Sequence, residues 1–148
     1  MGITGKVFID FKGGWVIFMS TEDYINEVLC SAVAEYASIY GNLTQKAVHK
    51  ITSKLTTESV KAVFDKITYY QAVEAVNKVG RILNKDDEKQ ECVAVVNSGI
   101  WNMNIAFVAL KSECDKTYVA AFAKEGIIKQ HTAQKAIDYI FSAISDDN

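Results

Sequence analysis

Four strand-length apolar runs separated by short polar turns occupy residues 91–130, and they constrain the fold more than any other feature. The runs cover residues 91–97, 100–111, 116–123 and 127–130. Residues 97–99, 112–115 and 124–126, which lie between them, are rich in Asn, Ser, Asp, Lys and Gly. Short apolar runs bounded by such residues are typical of antiparallel strands. We therefore predict a β-meander whose central strand is the long run at residues 100–111.

The two faces of this long run differ along its length. The second half is apolar on both faces, which predicts a central strand covered on both sides. The first half is half-polar, because Asn102 and Asn104 alternate there with Trp101 and follow Ile100. Tyr and Trp are frequent anchors of protein interfaces. The favoured interpretation is that a helix covers this end of the sheet. The alternative is an uncovered, partner-binding end at Ile100, Trp101, Asn102 and Asn104.

A second β element is predicted at the amino-terminal end. Val7, Ile9 and Phe11 alternate on one face of a short run, and a second aromatic and β-branched run follows the Gly13-Gly14 pair. Two such runs joined through a Gly-Gly pair predict a β-hairpin. We expect this hairpin to join the meander in one sheet.

The segments before and after the meander have helical periodicity. Residues 20–41 carry apolar side chains at three-four spacing behind a hydroxyl cap within residues 20–23. Further helices are predicted behind caps at Asn42, at Thr56 or Thr57, and at Thr68, where Gln71 completes a capping box. The stripe of the segment that follows Thr56 is Val60, Val63, Phe64 and Ile67. Residues 84–90 are predicted to form a charged loop, and Thr132 to cap a final helix.

These elements predict a single α+β domain over residues 1–148, a length that suits one core. It contains one antiparallel sheet of about five strands, formed by the amino-terminal hairpin and the carboxy-terminal meander. A block of about four helices and a carboxy-terminal helix pack against this sheet.

Composition limits the partners and the compartment. The net charge is −2 and Arg81 is the only arginine, which disfavours nucleic acid, although Lys46, Lys50 and Lys54 line one helix side. No apolar run reaches the ~18 residues of a membrane span. The three cysteines include no C-x-x-C pair, which indicates free thiols in a reducing cytoplasm.

Reactive side chains are few and scattered. His49 and His131 share no metal-binding spacing, and no cofactor motif is present, so we expect neither a metal nor a cofactor. Cys114 lies in a predicted turn and is the most accessible thiol, whereas Cys30 and Cys92 fit packing positions. A Cys–His couple is the catalytic alternative. Asp10, which precedes the Gly-Gly turn, is the remaining candidate for a catalytic or ligand-binding residue.

The sequence favours a non-catalytic cytoplasmic protein that acts by protein–protein interaction, of adaptor, chaperone or toxin-neutralising immunity type. The partner is another protein or a second copy of the chain. One alternative is a small enzyme or ligand-binding module with a pocket between helices and sheet, using Cys114, His131, His49 or Asp10. Another is a viral or structural assembly protein.

Overall fold

The computed structural model describes residues 6–11, 14–18, 20–40, 44–99, 104–126 and 129–146. The amino-terminal half contains β1 (Val7–Phe11), β2 (Gly14–Phe18), α1 (Glu22–Tyr40), α2 (Gln45–Ser53) and β3 (Thr56–Asp65). The carboxy-terminal half contains α3 (Tyr69–Val79), β4 (Gly80–Asp86), β5 (Glu91–Ser98), β6 (Asn104–Glu113), β7 (Lys116–Glu125) and α4 (Thr132–Asp146).

The main sheet is antiparallel, with five strands in the order β3-β7-β6-β5-β4. Its centre is the predicted meander, and β6, from the long apolar run, is the middle strand. The hairpin of β1 and β2 forms as predicted, but it is a separate two-stranded sheet. The expectation that it joins the meander is therefore wrong. The hairpin instead packs flat on the main sheet, because its inward side chains are apolar.

Both faces of the main sheet are covered by apolar side chains. Ala106, Val108 and Leu110 of β6 face α3 and α4, whereas Phe107 and Ala109 face α1 and the hairpin. All five are no more than 1% exposed. A central strand that is buried on both faces was predicted from its two-sided apolar pattern, and the structure confirms it.

Two predicted helical or loop segments are strands instead. Residues 56–65, read as a helix, form β3 and pair along their whole length with β7. Residues 80–86, read as a helix end and a charged loop, form β4. Gly80 permits this change of direction, because a Cβ atom there would lie 2.2 Å from the carbonyl oxygen of Val95. The fourth predicted run of the meander falls partly outside the described residues, and Lys129 and Gln130 lie in no strand.

The helix starts follow the sequence signals within one or two residues. Thr21 provides the predicted hydroxyl cap of α1, since its Oγ1 accepts the Tyr24 N–H at 3.2 Å. The capping box of Thr68 and Gln71 on α3 is confirmed. Asn42 lies outside the described residues, and Thr44 caps α2 through the Ala47 N–H.

The last helix starts from an anchored loop. Thr132 is its first residue rather than its cap, and the Thr132 N–H donates to the buried carboxylate of Glu125 at 2.9 Å. The same carboxylate accepts the Gln130 N–H at 3.0 Å. Glu125 therefore fixes the connection between β7 and α4.

Among the described helices, none is long and apolar enough to cross a membrane.

Candidate protein-binding edge and sheet-end cleft

The strand β3 forms one edge of the main sheet. It is ten residues long, its register with β7 has no irregularity, and no other described strand pairs with it. Edge strands present unpaired backbone N–H and C=O groups, which are a template for another strand. We therefore define the β3 edge as the outward-facing backbone of residues 56–65.

The turn between β6 and β7 shows which residues of β3 bond to β7 and which direct their backbone groups outward. Cys114 and Asp115 both have positive φ, 53° and 65°, which makes a two-residue type I′ turn. Glu113 and Lys116, which flank that turn, are then a hydrogen-bonded pair, and such pairs alternate along antiparallel strands. In β7 the odd-numbered residues therefore bond to β3.

Even-numbered residues of β3 lie opposite odd-numbered residues of β7, so they use their N–H groups inside the sheet. The 2.8 Å hydrogen bond from the Lys66 N–H to the Asp115 carbonyl follows the same rule, because an even-numbered residue donates to an odd-numbered one. The odd-numbered residues therefore direct their N–H and C=O groups outward. They are Thr57, Ser59, Lys61, Val63 and Asp65.

Side chains along the β3 edge form two rows. On the α4 side, Val60 and Ala62 are partly buried and Phe64 is buried beside Phe141, with ring centroids 5.6 Å apart. Phe141 is still 52% exposed, so an apolar surface continues past the edge. The other row includes the exposed Lys61, whose Nζ donates to the Asp10 carbonyl oxygen at 2.6 Å.

The opposite edge of the sheet, β4, is built differently. It has seven residues, and its register with β5 shifts between Ile82 and Asn84, as at a β-bulge. Arg81 and Lys85 are exposed on it. Short length, a bulge and basic side chains are the features that keep natural edge strands from pairing.

The predicted interface at the half-polar end of the long run lies mostly outside the described residues, since it includes Ile100, Trp101 and Asn102. Asn104 is described: it begins β6, pairs with Ser98 and is half-buried. The strand β7 separates it from β3. Asn104 is therefore not part of the β3 edge.

A cleft of about 560 Å³ opens at the end of the sheet where the turn between β6 and β7 lies. Residues 66–70, Gln90 and residues 112–116 line it. Cys114 is exposed there, as the sequence predicted, and the ring of Tyr70 is 65% exposed. Of the four candidate reactive residues, Cys114 alone lines this cleft.

The other candidates lie elsewhere. His49 is on α2, where its Nε2 is 3.1 Å from the Glu27 carboxylate of α1. His131 is exposed just before α4, and Asp10 is on β1. The structure therefore does not bring Cys114, His49, His131 and Asp10 together around one pocket.

The basic side of α2 is partly gathered into a groove. Lys46, His49 and Lys50 line a groove of about 540 Å³ between α1 and α2, and Lys54 follows the helix as its C-cap. The Ser31 hydroxyl donates to Glu27, and this bond and His49 lower the pKa of the Glu27 carboxyl. The Glu27 carboxylate thus lies beside His49, which is on the same helix as Lys46 and Lys50.

All three cysteines are free. Cys30 and Cys92 are buried, as predicted, and burial raises the pKa of both thiols, that of Cys92 to about 11. A neutral buried thiol is a poor nucleophile. These two cysteines therefore serve the core, and Cys114 is the accessible one.

The region beneath the turn between β4 and β5 holds a dense polar network. The Tyr69 hydroxyl donates to Asp87 at 2.8 Å and lies 3.2 Å from the Glu91 carbonyl oxygen. The buried Glu91 carboxylate accepts a hydrogen bond from Lys111 at 2.8 Å. These contacts fix the turn at residues 87–90, which was predicted to be a mobile loop.

No protein-family model matches the chain, and no curated protein matches its sequence.

The β3 edge is the feature that the sequence reasoning missed. A signal for it was present: Val60, Ala62 and Phe64 alternate with Ser59, Lys61 and Val63, and Thr56 and Thr57 precede them. Threonine, valine and phenylalanine are enriched in strands. The alternation of Ser59, Val60, Lys61 and Ala62 behind two threonines is compatible with a strand as well as with a helix.

Proposed function

We propose that this protein is a binding protein that acts by protein–protein interaction, and that its partner adds a strand to the β3 edge. The observation that carries the proposal is the regular ten-residue edge strand with outward backbone groups at its odd-numbered positions. In strand addition, main-chain hydrogen bonds supply affinity and alternate side-chain positions supply specificity.

The surroundings of the β3 edge support this proposal. A strand added beside β3 would cover Val60 and Ala62 and would extend over the exposed part of Phe141. Aromatic residues are frequent anchors of protein interfaces. The β4 edge is shorter, bulged and basic, which makes it the less regular template for such a partner.

We also propose a cytoplasmic location. The three thiols are free, and cytoplasmic conditions keep thiols reduced.

The test removes one outward N–H group without removing a native hydrogen bond. Ser59 is exposed and its N–H points away from β7, so Ser59→Pro blocks an incoming strand and is compatible with an edge position. Ser59→Ala is the matched control, because it removes the hydroxyl and keeps the N–H. Both variants, and the otherwise wild-type protein, would carry a photo-crosslinking residue in place of Thr57.

We expect the wild type and Ser59→Ala to crosslink a specific partner in cells of the source organism. Ser59→Pro should crosslink about tenfold less, because one or two ladder hydrogen bonds of about 1 kcal/mol are lost. Equal crosslinking of a partner other than a second copy by Ser59→Pro and Ser59→Ala, or no crosslinking by the wild type, would overturn the proposal.

A further inference from the structure

We propose that the strand at the β3 edge comes from a second copy of this chain, paired antiparallel about a two-fold axis at Val63. This inference rests on the proposed function, since it names the partner of the same edge. The product would be one continuous sheet running through both copies.

The alternation of inward and outward backbone groups along β3 permits this arrangement. An axis at Val63 pairs Val63 with Val63 of the second copy, and Lys61 with Asp65 of the second copy. These are odd-numbered residues, whose N–H and C=O groups point outward on both copies. Within β3, the Val63 pair and the two pairs of Lys61 with Asp65 can therefore each exchange two backbone hydrogen bonds, as in an ordinary antiparallel ladder.

Charge selects this register over its neighbours. With the axis at Val63, Lys61 lies opposite Asp65 of the second copy twice, and opposite charges facing each other across strands are stabilising. An axis at Lys61 or Asp65 places like charges opposite each other. An axis at Ala62 or Phe64 places Lys61 or Asp65 opposite Val63, with one like and one opposite charge at the two diagonal positions. Of these five registers, only the one at Val63 places Lys61 directly opposite Asp65.

Lys61 and Asp65 are free to make these pairs. Both side chains are exposed, and the hydrogen bond from Lys61 to the Asp10 carbonyl uses one of the three donors of an ammonium group. The ion pair with the second copy can therefore form without breaking the contact between β3 and the hairpin.

The apolar side chains of the two copies also face each other in this register. In this register Ala62 lies opposite Phe64 of the second copy, and the two Phe64 rings are diagonal neighbours, a separation that aromatic rings can span. Phe141 lies beside Phe64 with half of its surface exposed. Pairing would bring Ala62, Phe64 and Phe141 of both copies together, which buries the apolar border of the edge.

The test exchanges the two charges. In Lys61→Asp and in Asp65→Lys, each alone, the pairs become like-charged twice, so self-association should weaken at least about tenfold. The double variant Lys61→Asp/Asp65→Lys restores both pairs and should associate like the wild type. A mixture of the two single variants should form heterodimers, because each ion pair is then restored between different chains.

Sedimentation velocity and multi-angle light scattering over a dilution series measure the association, with circular dichroism to show that each variant is folded. Recovery in both the mixture and the double variant supports the inference. A monomeric wild type, or dimers insensitive to the charge exchange, overturns it. Ser59→Pro-sensitive crosslinking to a different protein would then leave the proposed function standing, and loss of both results would remove it.

Discussion

The two edge strands of the main sheet, β3 and β4, differ in length, in regularity and in the side chains that they expose. The β4 edge is seven residues long, carries a register shift and exposes Arg81 and Lys85. The β3 edge is ten residues long and regular, and an exposed aromatic ring borders it. Sequences that must avoid edge-to-edge association use the features found at β4. The β3 edge has neither the short length nor the register shift, so its backbone groups are the more regular template of the two.

The two edges also differ in what supports them. At one end of β4, the backbone of Gly80 packs closely against the Val95 carbonyl. At the other end, the Tyr69 hydroxyl bonds to Asp87 and to the Glu91 carbonyl. Along β3, the contacts to the hairpin and to the loop before α4 are made by lysine side chains, from Lys61 to Asp10 and from Lys129 to Glu58. A partner strand could therefore approach β3 without displacing core residues.

The largest expected effect tests which N–H groups of β3 point into the sheet and which point outward. Val60→Pro removes an N–H that bonds to Ala121 inside the sheet, and it leaves a buried carbonyl without a donor. We expect it to lower the free energy of unfolding by about 2–3 kcal/mol more than Ser59→Pro does, because the Ser59 N–H faces outward. Urea unfolding measures both variants. Equal losses would show that the assignment of inward and outward groups is wrong.

A smaller effect is expected at the start of the β4 edge. Gly80→Ala places a Cβ atom 2.2 Å from the Val95 carbonyl oxygen, so the chain must shift, at a cost of about 1–3 kcal/mol. Gly126→Ala is the matched control, since a Cβ there meets no atom within 4 Å, and its unfolding free energy should change by less than about 0.5 kcal/mol. A neutral Gly80→Ala would mean that β4 is not held closely against β5.

A further effect is expected only at high pH. Burial holds the pKa of Cys92 at about 11 in the folded chain, above the ordinary value of 9.0. Above pH 9 the unfolded chain loses this proton while the folded chain keeps it, so stability should fall between about pH 9 and pH 11. Chemical unfolding at several pH values measures the slope, and Cys92→Ala should reduce it. An unchanged slope in the variant would assign the decline to other groups.

The meander was predictable because its information is local. The strands β5, β6 and β7 are dense in apolar side chains, and the turn at Cys114 and Asp115 lies between two of them. A strand that is apolar on both faces belongs at the centre of a sheet, whatever the rest of the chain does. The capping box at Thr68 and Gln71 is local in the same way.

The β3 strand was mistaken for a helix because its side chains satisfy two periods at once. Val60, Val63, Phe64 and Ile67 fall at helical spacing, while Val60, Ala62 and Phe64 fall at strand spacing. Tertiary pairing with β7 decided between them, and that pairing joins residues about 60 positions apart. Which strands form the edges depends on this order, so the candidate binding edge could not be read from local pattern.

The accessible thiol on the turn between β6 and β7 makes the molecule convenient for fluorescence. Cys30 and Cys92 are shielded, so a maleimide dye will attach at Cys114 without any engineered cysteine. That turn lies at the Lys66 end of β3, close to the axis inferred for a pair of copies. Donor and acceptor dyes on separate preparations would therefore report the meeting of two molecules by energy transfer.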